Sequence, residues 1–490
     1  MGEASVMVGL IWENPLKRPV VLARVADMKN TMESRSAARG AWAALRPDLE
    51  KAFDSFWHMP ELAGMETRSA EALCGWLEAH GFAITRGAGG IPTAFVARKG
   101  SGTGPRIAIL AEYDALPGLG NDVSCNRAST GQVAGHGCGH NHIGPANTAA
   151  AIAVASLNLA GKIAVIGCPA EEILWGKVAL LKQGVFDGFD AILTSHGDYQ
   201  NGAASRPCQA MVTTEYVFLG EAGHGGKAGP RNALSAAEDA VRAINEAMVQ
   251  SCPGVSVKHV LRIAGIMPSI TPDETRLWIT CRNVELEEVR RAHGLITEAC
   301  RSAAANANCG FREQFISECR GYLANDALAH VLQGCLEELG PPRWSEDEIT
   351  FMRDLSAAAS PGEVFTLDQG LKLYDEDADY YGQDDGEVSW RIPLGRVNWA
   401  YPEQVPIHHW AWTALSGHKA GHRGALMASE ALAMAAAQLL AEPSVIGIAK
   451  TELASRTRNR DIDMPRLGAW NTMTKAPATF WDASWNEVTP

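Results

Sequence analysis

Three short segments, 106–111 (RIAILA), 162–168 (KIAVIGC) and 190–194 (DAILT), are nearly unbroken apolar runs. A strand with one wet face alternates apolar and polar residues. A strand without that alternation needs cover on both faces, which is the habit of a mostly parallel sheet held between layers of helix. The alanine-rich run 145–160 supplies one such helix. Helical spacing also links Met28, Trp42, Leu45, Leu49, Phe53 and Trp57, and again Ala70, Leu73, Trp76 and Leu77 within 69–80. Gly81 then reads as a C-cap and 82–85 as a further strand. Each apolar run ends in chemistry: Glu112-Tyr113-Asp114, Pro169-Ala170-Glu171-Glu172 and Ser195-His196-Gly197-Asp198. Ligands of open α/β sheets bind beyond the carboxyl ends of the strands, so three such endings together mark a site.

The stretch Gly135-His136-Gly137-Cys138-Gly139-His140-Asn141-His142 adds three histidines and a cysteine separated mostly by glycine. Cys138 and His140, two apart, would sit on opposite flanks of a helix, so they converge only from a turn or an extended segment. Thiolate and imidazole together suit zinc or a similar borderline metal. A surface loop that happens to carry histidines is the alternative reading of this stretch taken alone.

Around 208–211 the character of the chain changes. A strand at 213–218, a glycine-rich loop at 220–230 holding His224, an amphipathic helix at 235–249, a strand at 275–280, a helix at 285–306 and an extended segment at 311–317 follow. A strand–helix–strand–strand–helix–strand order predicts a small sheet with helices on one face, inserted into the larger domain. Helices return at 326–339 and 422–440. Between them lies a long polar stretch, 360–402, and then Pro406-Ile407-His408-His409-Trp410. The expected division is 28–209 and 320–450 for the two parts of a catalytic domain and 210–319 for the insert. An arm (1–27) and a tail (451–490) have no assigned role.

A net charge of −13 with no basic block excludes a phosphate-backbone partner, and so nucleic acid. No apolar run in the sequence reads as a membrane span, and 1–18 lacks the basic-apolar-small order of a secretory signal. Eleven cysteines, odd in number and without framework spacing, fit reduced thiols in a cytoplasmic protein.

In this order, AEYDALPG (111–118), GHGCGHN (135–141), PAEE (169–172), HGGKAGP (224–230) and DDGEVSW (384–390) resemble the aminoacylase/glutamate-carboxypeptidase family of metallo-amidohydrolases. The likeness runs from about Trp57 to Leu440. It implies an α/β, zinc-peptidase-like fold: a mixed, mostly parallel sheet covered by helices on both faces, with an inserted α+β ferredoxin-like dimerisation (lid) domain. It implies one or two divalent metal ions, zinc or manganese. Their ligands would be Cys138 in the bridging position, His140, Glu172, His196 for one metal and His408 for the other, with His409 competing at that last place. Glu171 would be the general base, Asp114 would orient the site from behind, and His224 would reach into a partner subunit's site within a homodimer or higher homo-oligomer. A small-molecule substrate is implied. Arg282, Ser269 (where the family often carries asparagine) and Asn232 are its candidate contacts.

The chemistry follows from the residue types. A divalent metal lowers the pKa of bound water, one of two adjacent glutamates can hold metal while the other carries the proton, and an opposed imidazole can stabilise an oxyanion. The expected reaction is hydrolysis of the amide C–N bond of an N-acyl or aroyl amino acid or a dipeptide. Hydrolytic deamination of an aromatic amine is open at the same centre. A cysteine hydrolase using Cys138 would leave Glu171, Glu172 and His196 idle. An inactive metal-binding subunit would have no need of Glu171.

Overall fold

The computed structural model describes residues 25–226, 231–373, 378, 380–460 and 462–469. Most of the N-terminal arm, positions 227–230 of the His224 loop and 470–490 of the tail lie outside the described residues. Two sheets organise the chain. The larger runs from edge to edge as Ala83–Arg86, Phe95–Ser101, Gly161–Cys168, Arg106–Glu112, Ala191–Asp198, Leu394–Ala400 and Gly202–Ala204. Its four central strands are parallel and its outer strands antiparallel.

The unbroken apolar runs are explained by two separate cores, one on each face. Ile107, Ile109, Ala111, Ile163, Val165 and Leu193 pack with the helices Val25–Trp57, His140–Ala155 and Lys419–Ala441. The alternate residues Ala108, Leu110, Ala164, Ile166 and Ile192 pack on the other face with Trp175, Ala179, Leu180 and Phe186. Every side chain of these strands therefore has somewhere dry to go.

Three sequence expectations need correction. The polar stretch 360–402 contains a fourth central strand, Leu394–Ala400, wholly buried. Its Arg396 and Asn398 break the apolar run and are paired inside: Arg396 bonds both oxygens of Asp385 at 2.5 and 2.6 Å, and Asn398 donates to Asp198 at 2.9 Å. The strand expected at 190–194 continues to Asp198, so His196 stands within its last turn of pleat rather than beyond it. The helix Lys419–Ala441 is long and apolar enough to cross a membrane by length and composition. Its window is 89% buried inside the protein, where it covers the central sheet.

The smaller sheet takes the order Ser256–Ile263, Glu274–Asn283, Ala210–Leu219, Gly310–Cys319, with every neighbouring pair antiparallel. That is the ferredoxin-like arrangement. The helices Ala233–Ser251 and Leu286–Asn306 share one core with it, through Ala236, Ala240, Ile244, Val289 and Ile296 against Tyr216, Leu277 and Ile279. Ser256–Ile263 is an edge strand, and Val260, Leu261 and Ile263 are exposed there.

Residues 462–469 lie across the two sheets. Leu467 forms a bridge with Ser317 of the smaller sheet, and Asp463 pairs with Arg290 (2.8 Å) and Arg320. From the larger unit, Trp175 donates to the Gly468 carbonyl (3.1 Å) and Lys182 to that of Pro465 (2.8 Å).

The turn after Gly161–Cys168 holds Ala170 and Leu174 at positive φ, both 59°, a conformation unfavourable for residues with a Cβ. It closes at Gly176, where an added Cβ would stand 1.6 Å from the Pro169 carbonyl oxygen. Gly176→Ala is therefore expected to cost about 1–3 kcal/mol of stability by overpacking, read as a fall in Tm. An unchanged Tm would mean that this turn relaxes freely.

Candidate metal centre

The donors stand at the carboxyl ends of three parallel strands and on two loops beside them. Gly139, at φ 81°, adopts the left-handed conformation that caps the helix His140–Ala155, so the chain turns between Cys138 and His140. Cys138 faces inward from the turn and His140 from the first helical position, which is how two residues two apart converge. His408 also has positive φ, 61°, and its amide N–H donates to the Gly137 carbonyl at 2.9 Å, tying its loop to the cysteine turn.

Asp114 fixes the orientation. Its Oδ1 lies 2.9 Å from His140 Nδ1, and its Oδ2 accepts the Glu172 amide N–H at 2.9 Å. With Nδ1 directed at the Asp114 carboxylate, Nε2 is the ring atom left to face the site. His196 behaves alike: its Nδ1 lies 2.7 Å from the Gly197 carbonyl oxygen, and its Nε2 faces Cys138 Sγ at 3.6 Å. Around His140 Nε2 stand Glu112 Oε2 at 3.6 Å, Glu171 Oε2 at 3.8 Å and Glu172 Oε1 at 3.9 Å. The other oxygen of Glu172 reaches His408 Nε2 at 3.3 Å.

Three sets of donor atoms each fall within 4.8 Å of one another: Cys138, His140 and His196; Cys138, Glu172 and His408; and Glu112, His140 and Glu171. Cys138 belongs to two of them. Glu112 Oε2, His140 Nε2 and Glu172 Oε1 are buried without a hydrogen-bond partner. Buried acceptors facing one another without donors are costly, and a cation among them removes that cost. The mixture of one thiol, imidazoles and carboxylates is a donor set for a borderline divalent metal.

Without a cation the protonation states register the same crowding. Burial, reinforced by Glu112, pushes Glu171 well above the usual carboxylate range, and burial also raises Glu172 against the pull of His408 and His140. Burial lowers His196 to about 3. Burial alone would depress His140, but Cys138 and Asp114 carry it well above the usual imidazole value. The Cys138 thiol is pushed far up, by burial first and then Glu172. A buried neutral thiol is a poor nucleophile, which speaks against the cysteine-hydrolase alternative.

The cluster thus contains Asp114, Cys138, His140, Glu171, Glu172, His196 and His408. His409 is turned elsewhere and caps the helix Trp410–Ser416 by accepting the Ala411 N–H. The other sequence candidates sit in the smaller unit, outside the three donor sets. His224 is exposed and accepts the Gly226 N–H at 3.1 Å. Ser269 is exposed, and Arg282 is half-buried on Glu274–Asn283 with its Nε unpartnered. Asn232 uses its side-chain oxygen to cap Ala233–Ser251, accepting from the amides of Leu234 and Ser235.

Two participants stand outside the expected ligands and base: Lys177, which no sequence motif marks, and Glu112, marked only as part of a strand ending. Lys177 is wholly buried, with Nζ 2.8 Å from Glu112 Oε1 and 2.5 Å from Asp384 Oδ1. Burial raises the Glu112 carboxyl, but the Lys177 ammonium and His140 outweigh it and bring Glu112 down to about 2. The available signal was a lysine at the start of a short helix, Gly176–Lys182, directly ahead of the apolar run Val178 to Leu181.

No family model matches the chain. Over 432 residues it is 30% identical to one of the subunits of p-aminobenzoyl-glutamate hydrolase from Escherichia coli (strain K12), covering 80% of this chain and 89% of that protein. The chain belongs to the aminoacylase/glutamate-carboxypeptidase, or M20, family. It is 27% identical to Xaa-Arg dipeptidase of Mus musculus, over 83% of this chain and 89% of that one. A dinuclear metal-binding peptidase of the M20 family from Bacillus subtilis shares the fold at a TM-score of 0.50 and 18% identity, over 80% of this chain and 98% of that one. This M20 protein is accordingly a hydrolase that uses a divalent metal.

Cys138 is 6% exposed. In native protein, with or without metal, an alkylating reagent is expected to label it far more slowly than in the denatured chain, as followed by mass spectrometry of the labelled peptide. Labelling as fast as in the denatured chain would restore the thiol-nucleophile alternative.

Proposed function

We propose that this M20 enzyme hydrolyses the amide C–N bond of an N-acyl or N-aroyl amino acid or of a dipeptide. The observation that carries the reading is the divergence of two adjacent glutamates. Glu172 turns one oxygen to His408, whereas Glu171 joins Glu112 and His140. One carboxylate is thus placed to hold metal with Cys138 and His408, and its neighbour is left for proton transfer. The bound divalent metal supplies Lewis acidity and a water of lowered pKa.

The chain's own residues do the rest. Glu171 takes the proton from the attacking water and returns it to the leaving amine, and the burial that raises its proton affinity suits it to both tasks. Asp114 holds His140 and the Glu172 backbone in register through its two oxygens. Cys138, His140, Glu172, His196 and His408 would hold one or two divalent ions, and the mixed donor set suits zinc or manganese. The names of the two relatives above, one an aroyl-glutamate hydrolase and one a dipeptidase, support the substrate class. The eleven free cysteines fit a reducing, cytoplasmic setting.

Glu171→Gln keeps the shape and removes the proton acceptor. It is expected to retain metal while amine release from aminobenzoyl-glutamate and a dipeptide panel falls by roughly 10²–10⁴-fold. Glu172→Gln is expected to lose metal instead. Near-normal turnover of Glu171→Gln at saturating metal would remove the base from this reading.

The enzyme acts as a homodimer through the smaller unit. Edge strand Ser256–Ile263 exposes Val260 and Ile263, and the neighbouring loop exposes Ile266, Met267 and Ile270. Ile270 pairs directly with His224 in a short ladder, so the histidine sits beside this apolar surface. Covering the surface with a second copy would carry His224 towards the partner's metal centre, where its imidazole stabilises the oxyanion. His224→Ala is expected to keep its metal and lose roughly 10²–10³-fold in kcat. Subunit exchange with Glu171→Gln should then restore activity, since one hybrid site holds both native groups. Absence of recovery in demonstrably mixed dimers would place His224 outside catalysis in trans.

A further inference from the structure

The carboxylate of Glu112 is not explained by the ligand and base roles above. It ends the central strand Arg106–Glu112 and is 1% exposed. Its Oε1 is tied down by Lys177 Nζ at 2.8 Å. Lys177 cannot swing away, because Asp384 grips it twice, accepting from the ammonium at 2.5 Å and from the backbone N–H at 2.7 Å. One ammonium therefore serves two buried carboxylates, and only one oxygen of Glu112 is engaged.

The other oxygen of Glu112 points into the metal centre. Glu112 Oε2 has no hydrogen-bond partner and lies 3.6 Å from His140 Nε2, which has none either. The separation is too long for a hydrogen bond. Asp114 already engages the opposite ring nitrogen of His140, so Nε2 is the ring atom that faces Glu112 Oε2. Two buried polar atoms that face each other beyond hydrogen-bond reach, with Glu171 Oε2 in the same donor set, leave a place for a shared cation. A role as the Lys177 counter-ion accounts for Oε1 only.

We propose that Glu112 is a further carboxylate of the metal centre, clamped by Lys177 so that its free oxygen faces the same ion as His140. The inference rests on the metal-dependent reading above. Its effect is to give the set of Cys138, His140 and His196 an additional hard oxygen donor.

The test uses the full-length enzyme, Glu112→Gln and Glu112→Asp. Binding of zinc and of manganese is measured by competition with a chromogenic chelator, and the metal-induced rise in Tm is taken against each variant's own metal-free form. Glu112→Gln keeps the shape and loses the charge, and is expected to weaken at least one bound ion by roughly 10–100-fold and to shrink the metal-induced rise. Manganese, the harder ion, should lose more than zinc. Glu112→Asp keeps the charge but withdraws it by one methylene, and is expected to fall between wild type and Glu112→Gln. It is read in the same way if Glu112→Gln fails to fold without metal. Metal affinities equal to wild type, with or without a lower metal-free Tm, would overturn the proposal and leave Glu112 as the lysine's counter-ion. A wild-type enzyme that takes up neither metal would instead overturn the metal-dependent reading itself.

Discussion

The two oxygens of Asp114 make the connection on which the centre depends. One holds the ring of His140, and the other holds the backbone N–H of Glu172. Through this one side chain, the helix that starts at His140 and the turn that carries both glutamates share a common reference point at the end of Arg106–Glu112. The carboxylate is wholly buried, so little else competes for it. Without it the His140 ring would be free to present either nitrogen, and the lone pairs that now converge would have no fixed direction.

The sheet beneath makes that arrangement affordable. Four parallel strands end at one edge, and their apolar residues divide cleanly between two cores. Burial of the scaffold is thus kept apart from burial of the charges, which gather only beyond the strand ends. Where charge does enter the layers beneath, it is matched inside. Arg396 meets Asp385, and Lys177 sits between Glu112 and Asp384. Breaking one partner of such a buried pair is costly because the other is left uncompensated.

Much of this was legible in the sequence, for physical reasons. Strands 106–111 and 162–168 declared themselves because both faces are dry, and helix Asp326–Leu339 because its apolar residues recur at helical spacing. The donor motifs stood out because glycine surrounds them. Leu394–Ala400 was hidden because Arg396 and Asn398 interrupt it, and their partners, Asp385 and Asp198, are distant in sequence or inconspicuous beside it. Edge strand Ser256–Ile263 was hidden because exposure removes the apolar signature. Lys177 and Asp384 lie 207 residues apart, so no local pattern could announce their pairing. Asn232 has a local role that spacing alone also predicts, since an asparagine before a helix caps it.

The segment 462–469 has a mechanical consequence. It is fastened to the smaller sheet at Ser317 and through Asp463 to Arg290, and to the larger unit at Lys182 and Trp175. Trp175 is only three residues past Glu172. A rigid-body swing of the smaller sheet must drag this strip with it or tear it loose from one side. Its load is delivered beside the paired glutamates, so the geometry of that turn is anchored by a piece of chain far removed from every motif that identifies the family.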